Sequence, residues 1–269
     1  MTPRCNPSLV AGGAIVIILA LVAALGPLAV HADPLAIDLT RVLAPPGPGH
    51  WLGCDALGRD VLARVLWGAR LSLAVSTTVV TLSLAAGGII GGAAALAGGR
   101  IDSIVMRMVD IVLAFPGFLL AIALAAILGP GSIDLVVALT AMGWTGYARL
   151  VRGEVLSLRE REYAEAARAL GARPGRVLLR HLLPGLAGPV AVQATFGVGG
   201  IIVAEAALSF LGLGTLPPAP SWGNMLDSGR AFLLVAPHLT TAPGVAIGAS
   251  VLGFNLLGDG LAQTFGRRG

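Results

Sequence analysis

Six apolar stretches, each long enough to cross a bilayer, recur along the 269 residues of this chain. A transmembrane helix needs about 20 mostly apolar residues to cross roughly 30 Å of hydrocarbon. Stretches near 9–30, 71–97, 104–128, 134–150, 184–213 and 237–258 meet that requirement. The segments between them are too short to form a separate soluble module, so the pattern predicts an all-α integral membrane protein with about six transmembrane helices. Composition agrees: 56% of residues are hydrophobic and 12% charged, against roughly a quarter charged in ordinary globular chains.

All eighteen basic residues other than histidine are arginine, and their placement orients the bundle. Thirteen of the eighteen fall on one side: Arg4, Arg100, Arg107, the eight from Arg149 to Arg180, Arg267 and Arg268. The other side holds Arg41, Arg59, Arg64, Arg70 and Arg230. The excess of arginine in cytoplasmic loops therefore places both termini and the long 149–183 loop in the cytoplasm. The net charge of +4 follows from this asymmetry and does not call for a nucleic-acid partner.

Arg4, the apolar run after it and "AVHADP" resemble a signal peptide, but Leu9 to Val30 exceeds the 7–15 residues of a signal h-region. The first stretch is therefore expected to stay as an uncleaved helix. Cys5 and Cys54 fall on opposite sides of this topology and cannot pair within the chain. Small residues crowd the spans, as in "AAGGIIGGAAALAGG" from Ala85 to Gly99, which lets helix backbones approach closely in lipid. Ionisable groups are rare there. Glu205 lies deep in the fifth span, where it is expected to hydrogen-bond a neighbouring helix or line a pathway, and Asp110 is placed to pair with Arg107 one turn earlier. So little intramembrane charge argues against a proton-driven carrier.

The longest polar stretch is "EYAEAARALGARPGRVLLRHLLPG", residues 162–185. Val155, Leu158, Ala164, Ala167 and Leu170 recur at helical spacing beside an Arg and Glu face, which predicts one helix over 152–170. Gly171 supplies its stop, Pro174 suits the first turn of a second helix over 174–183, and Pro184 marks the return to the membrane. Such an exposed pair is shaped either to dock in a partner's groove or to rest on headgroups. Its alanines are poor lipid anchors, which favours docking.

Glu165-Ala166-Ala167, three residues, Gly171, nine residues, His181, then Leu183-Pro184 resembles the EAA motif of ABC importer permeases, with His181 where the general pattern has Ile. "RHLLP" is similar to the peptide and nickel branch of that family, "C"-type. So are "HWLGCDALGRDVLARVLWGARLSL" (50–73), "AEAALSFLGLG" (204–214), "PSWGNMLDSGR" (221–230) and "FNLLGDGL" (254–261), with Cys54 standing where Thr is expected. The resemblance covers residues 50–269. It implies a permease domain there with the EAA loop at 152–184, preceded by an N-terminal helix and the start of an outer segment over 1–49.

The fold implied is that of a type I ABC importer permease with a cytoplasmic coupling helix, in a bacterial inner membrane. Its implied partners are a homologous second permease, two ATPase subunits or domains and an extracytoplasmic substrate-binding protein. The chain has no GxxxxGK[ST] loop and no lysine, so ATP and Mg would be used by the partner ATPase and this subunit would be non-catalytic, with no cofactor or metal of its own. The coupling residues implied are Tyr163, Glu165, Ala166, Ala167, Leu170, Gly171, His181 and Pro184, with Ala166 and Ala167 keeping the contact face flat. On the outer side, Asp55 is expected to cap a short helix over 56–66 in which Asp60 pairs with Arg64. Asp55, Arg59, Asp60, Trp222 and Asn224 are candidates for binding-protein contact or a gate, with Trp222 alternatively an interfacial anchor. The isolated His31, His50 and His238 are assigned nothing. Short peptides are the expected cargo and nickel or another small solute the runner-up. An ATP-independent channel or secondary transporter is the alternative from a different class.

Overall fold

The computed structural model describes residues 6–30 and 32–266 and contains ten α-helices. Arg4, Cys5, His31, Arg267 and Arg268 lie outside the described residues. Helix α1 (Pro7–Ala29) is capped by Asn6, whose side chain accepts from the Ser8 amide. Helix α2 (Val61–Ala97) is capped by Asp60, whose carboxylate accepts from the Ala63 amide at 2.8 Å. Then come α3 (Gly99–Ala114), α4 (Gly117–Leu128) and α5 (Ser132–Leu158), followed by the short α6 (Glu162–Ala169) and α7 (Pro174–Val177). Helix α8 (Leu183–Phe210), the short α9 (Trp222–Gly229) and α10 (His238–Gly266) complete the chain.

Among the described residues four stretches are long and apolar enough to cross a membrane: Pro7–Gly26, Val61–Ala97, Gly175–Phe210 and His238–Gly266. The pair α3 and α4 together make a fifth, bent by 87°. The continuous helix expected over 104–128 is therefore broken. Pro116 has no amide for the Val112 carbonyl, and it forces Phe115 into an extended conformation with ψ 141°. Helix α5 is long enough but less apolar, because it carries Asp134, Arg149, Arg152 and Glu154.

The expected short helix over 56–66 does not form separately. Asp55 is used by a turn, accepting from the Leu57 and Arg59 amides at 2.8 and 3.0 Å. Asp60 caps one helix that runs unbroken to Ala97, about 55 Å at 1.5 Å per residue. Nor is Arg64 the partner of Asp60. It lies 3.6 Å from Asp55 and donates to the Pro34 carbonyl, while Asp60 faces His50.

Helices α2 and α5 pack backbone to backbone. A Cβ at Gly87 would lie 2.3 Å from the Trp144 carbonyl oxygen, and one at Gly91 would lie 2.2 Å from that of Ala148. Helix α1 docks similarly on α10, with Gly12 against the Leu257 backbone, Gly260 against that of Leu9, and the Asn6 amide donating to the Gly260 carbonyl at 3.1 Å. Arg70 of α2 holds the far end of α1 by donating to the Ala23 and Ala24 carbonyls at 3.2 and 3.1 Å. Ala23 stands four residues before Pro27, which has no amide to offer it, so the guanidinium supplies a donor the helix lacks.

Three apolar clusters fill the bundle. The one on the arginine-poor side, the expected outer side, gathers Val61, Ile202, Trp222, Met225 and Leu239, and the middle one Val79, Leu135, Leu139 and Leu208. The inner one joins Ala95 of α2 and Val151 and Val155 of α5 to Ala164, Ala167, Val177, Leu182 and Leu186.

A candidate coupling surface and the outer cap

The inner cluster explains the shape of the 149–183 loop. Val155 lies on α5, whereas Ala164 and Ala167 lie on α6, and all three are buried in the same cluster. A straight helix over 152–170 would carry the two alanines away from Val155. The chain instead turns at 159–161, so tertiary packing overrides the helical periodicity there. Arg168 fixes the turn by donating to the Arg159 carbonyl at 2.5 Å, at the C-terminus of α5 where a cation is favoured. The helix expected over 174–183 is likewise absorbed into a longer run. Helix α7, a π-turn over Leu178–Leu182 and α8 are continuous, and Pro184 sits in the first turn of α8. The π-turn closes with the Leu183 amide on the Leu178 carbonyl, immediately before a proline that cannot donate to Arg180.

Helix α6 ends in a Schellman motif. The Gly171 amide donates to the Arg168 carbonyl at 2.9 Å and the Ala172 amide to that of Ala167 at 3.1 Å. Gly171 has φ +81° and open space around its Cβ position, so the need for glycine there comes from the backbone alone. Tyr163, Ala166 and Leu170 follow at i, i+3 and i+7 on the outward side of α6, with Tyr163 45% and Leu170 89% exposed. Glu165 is exposed beside them. Ala167 corrects the expectation that both alanines of the motif form the contact face: it points inward and is 9% exposed. His181 lies in the π-turn, with its Nδ1 buried and without a partner among the described residues, while Pro184 is exposed.

Two ion pairs tie α5 to α3 on this inner side. Arg152 grips Asp102 through two bonds of 2.6 and 2.5 Å, and Arg149 meets Asp110 at 2.6 Å. Asp110 therefore pairs across helices and not with Arg107. The sequence offered no periodic signal for either bridge, since the partners are 50 and 39 residues apart.

On the outer side, the five candidate residues hold the cap together. Asp55 accepts from Arg59 Nε at 2.7 Å. Asp60 is buried and also accepts from His50 Nδ1 at 2.8 Å, while Arg41 donates to His50 Nε2. His50, assigned nothing from sequence, thus links the 39–50 segment to the start of α2. Trp222 is 1% exposed and donates to the Val65 carbonyl at 3.0 Å, so it is a core residue and not an interfacial anchor. Asn224 donates to the Thr215 carbonyl and fixes the 211–221 loop. Cys54 is buried and forms no disulfide among the described residues, and burial beside Asp60 pushes its thiol pKa up. The Thr40 hydroxyl and amide hold the Asp38 carboxyl below its usual range. The exposed apolar groups of this side are others, among them Leu39 at 70%, Trp51 at 78% and Leu234 at 98%.

Within the membrane, Glu205 is fully buried and accepts from Ser72 and Ser209, both at 2.9 Å. It cross-links α8 to α2 and contacts no cavity among those described. Glu205→Ala is expected to cost roughly 2–4 kcal/mol, from the void left in the core and two hydroxyls losing their partner at about 0.6–2 kcal/mol each. Glu205→Gln, which keeps an acceptor and the shape, should lose less than half of that. Thermal unfolding in detergent reads the difference, and an unchanged midpoint for the alanine variant would remove the glutamate from the structural core.

The comparisons with known proteins agree with this architecture. Residues 83–268 match the family described as "Binding-protein-dependent transport system inner membrane component". A glutathione transport system permease protein GsiD of Pectobacterium atrosepticum is 45% identical over 224 residues, 83% of this chain and 74% of that protein. A dipeptide transport system permease protein DppC of Alkalihalophilus pseudofirmus is 44% identical over 241 residues, 90% of this chain and 79% of that one. A chain from the MetNI methionine ABC transporter superposes with a TM-score of 0.62 at 18% identity, covering 75% of this chain and 95% of the other, which is a likeness of fold. With the family pattern spanning most of the bundle and relatives matching more than four fifths of its length, this chain belongs to the inner-membrane permease components of binding-protein-dependent transport systems.

Proposed function

We propose that the chain forms half of a translocation pathway for short peptides, driven by ATP hydrolysed on partner subunits. The observation that carries this reading is the outward Tyr163–Ala166–Leu170 stripe of α6, held on a base that is itself buried among α2, α5 and α8. An apolar stripe on an amphipathic helix suits a groove in a partner, here an ATPase bound with Mg and nucleotide. Because Ala164 and Ala167 join α6 to the packed inner cluster, a push on α6 is passed to α5 and α2 as a rigid displacement. Glu165 lies beside the stripe as its polar contact, and Gly171 fixes where α6 stops.

The remaining partners are a homologous second permease completing the pathway and an extracytoplasmic binding protein. Exposed Trp51, Leu39 and Leu234 are better placed to meet the latter than Asp55, Arg59, Asp60, Trp222 and Asn224, which are committed to internal contacts. The arginine asymmetry supports cytoplasmic termini. Peptide cargo rests on the relatives named for dipeptides and for glutathione, itself a tripeptide.

Affinity purification in mild detergent through a C-terminal tag tests the assembly. The expected eluate contains a second permease, ATPase subunits and nucleotide-hydrolysing activity, and the ligand of the captured binding protein names the cargo. A nickel chelate there would replace peptide as the cargo. Recovery of this chain alone, together with transport that persists after ATP depletion with the ion gradient held, would overturn the ATP-driven reading.

A further inference from the structure

Arg70 carries more hydrogen-bonding capacity than α1 consumes. Its Nε and one Nη2 hydrogen satisfy the Ala23 and Ala24 carbonyls, which leaves the end-on edge of the guanidinium, Nη1 with the second Nη2 hydrogen, without a hydrogen-bond partner among the described residues, on an exposed side chain. Among the described residues no carboxylate lies within ion-pair distance of it. Asp33 is the acidic group that lines the neighbouring groove. The Trp67 ring lies 5.5 Å beneath the guanidinium, a stacked arrangement that keeps the cation in one place.

Two apolar grooves meet at this residue. One, of about 560 Å³, runs inward between α1 and α2 past Val16, Ala20, Leu73, Thr77 and Phe254. The other, of about 480 Å³, runs outward past Leu35, Trp67, Leu71 and Pro220. Arg70 and Ala74 line both. Depth fixes the chemistry of the occupant. From Arg70 to Ala97, α2 measures about 40 Å at 1.5 Å per residue. A bilayer is about 30 Å thick in hydrocarbon and about 40–45 Å with its headgroups, so a helix ending at the inner headgroups puts Arg70 among the outer ones. A fixed cation at headgroup depth, an aromatic ring beside it and a groove of small side chains leading into the hydrocarbon match the parts of one molecule.

We propose that Arg70 and the α1–α2 groove bind an outer-leaflet phospholipid, with its phosphate on the end-on edge of Arg70 and an acyl chain along Ala20, Leu73 and Thr77. A phosphate takes two parallel hydrogen bonds from such an edge. The lipid would then pack α1 against α2 along a groove that α10 borders through Phe254.

The test is native mass spectrometry of the purified transporter complex in detergent supplemented with 1-palmitoyl-2-oleoyl-phosphatidylglycerol. Ala74→Phe fills the meeting point of the grooves without touching the bonds to α1, and Arg70→Gln removes the charge. One retained phospholipid on the wild-type complex, lost at least tenfold in Ala74→Phe and in Arg70→Gln, is the expected result. Equal occupancy in all three would overturn the site, as would displacement of the bound species by inorganic phosphate. Efficient cross-linking of Thr77→Cys to the second permease would assign the groove to a protein contact instead and would also overturn it. Unfolding midpoints of Ala74→Phe close to wild type separate loss of lipid from loss of fold.

Discussion

Gly91→Val is expected to deplete the chain from the membrane fraction. The obstacle is backbone: the new Cβ would start 2.2 Å from the Ala148 carbonyl oxygen, far inside any van der Waals contact. No rotamer relieves it, so α2 and α5 must separate along a seam that also includes Gly87 against Trp144. Separation would pull Val151 and Val155 from the inner cluster and strain the Arg152–Asp102 pair between α5 and α3. Overpacking a core costs about 1–3 kcal/mol when side chains can adjust. Here they cannot, so the cost should reach or exceed the top of that range, against a total stability of about 5–15 kcal/mol. Gly88→Ala is the control, since nothing among the described residues lies within 4 Å of its Cβ position. It should be neutral or slightly stabilising, as alanine is in helices. Immunoblots of membranes and unfolding in detergent read both, and normal accumulation of Gly91→Val would mean that α2 and α5 do not pack at this distance.

The spans were legible because bilayer thickness imposes one length on every crossing helix. The ends of α1 and α8 and the start of α10 lie close to the apolar boundaries, but α2 extends ten residues before Leu71, where the apolar run begins, and α10 runs eight residues past 258. Breaks followed local chemistry only in part. Pro116 carries the signal for the bend between α3 and α4, but an uninterrupted hydropathy window conceals it. The turn at 159–161 has no such residue and exists because Val155, Ala164 and Ala167 share one cluster. In the coupling loop, the Gly171 stop was readable from its residue type, whereas the direction of Ala167 depended on where α5 lies. The outer charges misled for a related reason. Asp60 and Arg64 have helical pair spacing, yet Asp60 spends one carboxylate oxygen on the Ala63 amide as N-cap and the other on His50, leaving Arg64 to Asp55 and Pro34. Arg70 shows the same limit, because its partners on α1 are 47 and 46 residues away.

Leu170→Asp should reduce ATP-dependent uptake by roughly 30- to 700-fold while leaving the amount of chain in the membrane unchanged. Leu170 is 89% exposed at the end of α6, so a carboxylate there disturbs no contact within the subunit. In a partner's groove, however, it would be desolvated without a counter-charge. Losing a central interface anchor costs about 2–4 kcal/mol, which is the quoted range at 1.4 kcal/mol per tenfold. Two companions separate docking from folding. Ala167→Leu enlarges a buried residue of the inner cluster, so its damage should appear first as reduced stability. Gly171→Val meets open space but must hold a β-branched residue at φ +81°, at roughly 1–2 kcal/mol of local strain. It should weaken coupling less than Leu170→Asp, and Gly171→Asn, whose side chain tolerates that conformation, less again. ATPase subunits retained on purified wild type but lost from Leu170→Asp would place the docking surface on the outward stripe of α6. Full uptake and full ATPase retention by that variant would move the contact elsewhere on the loop, with the exposed arginines at 173, 176 and 180 the next surface to alter.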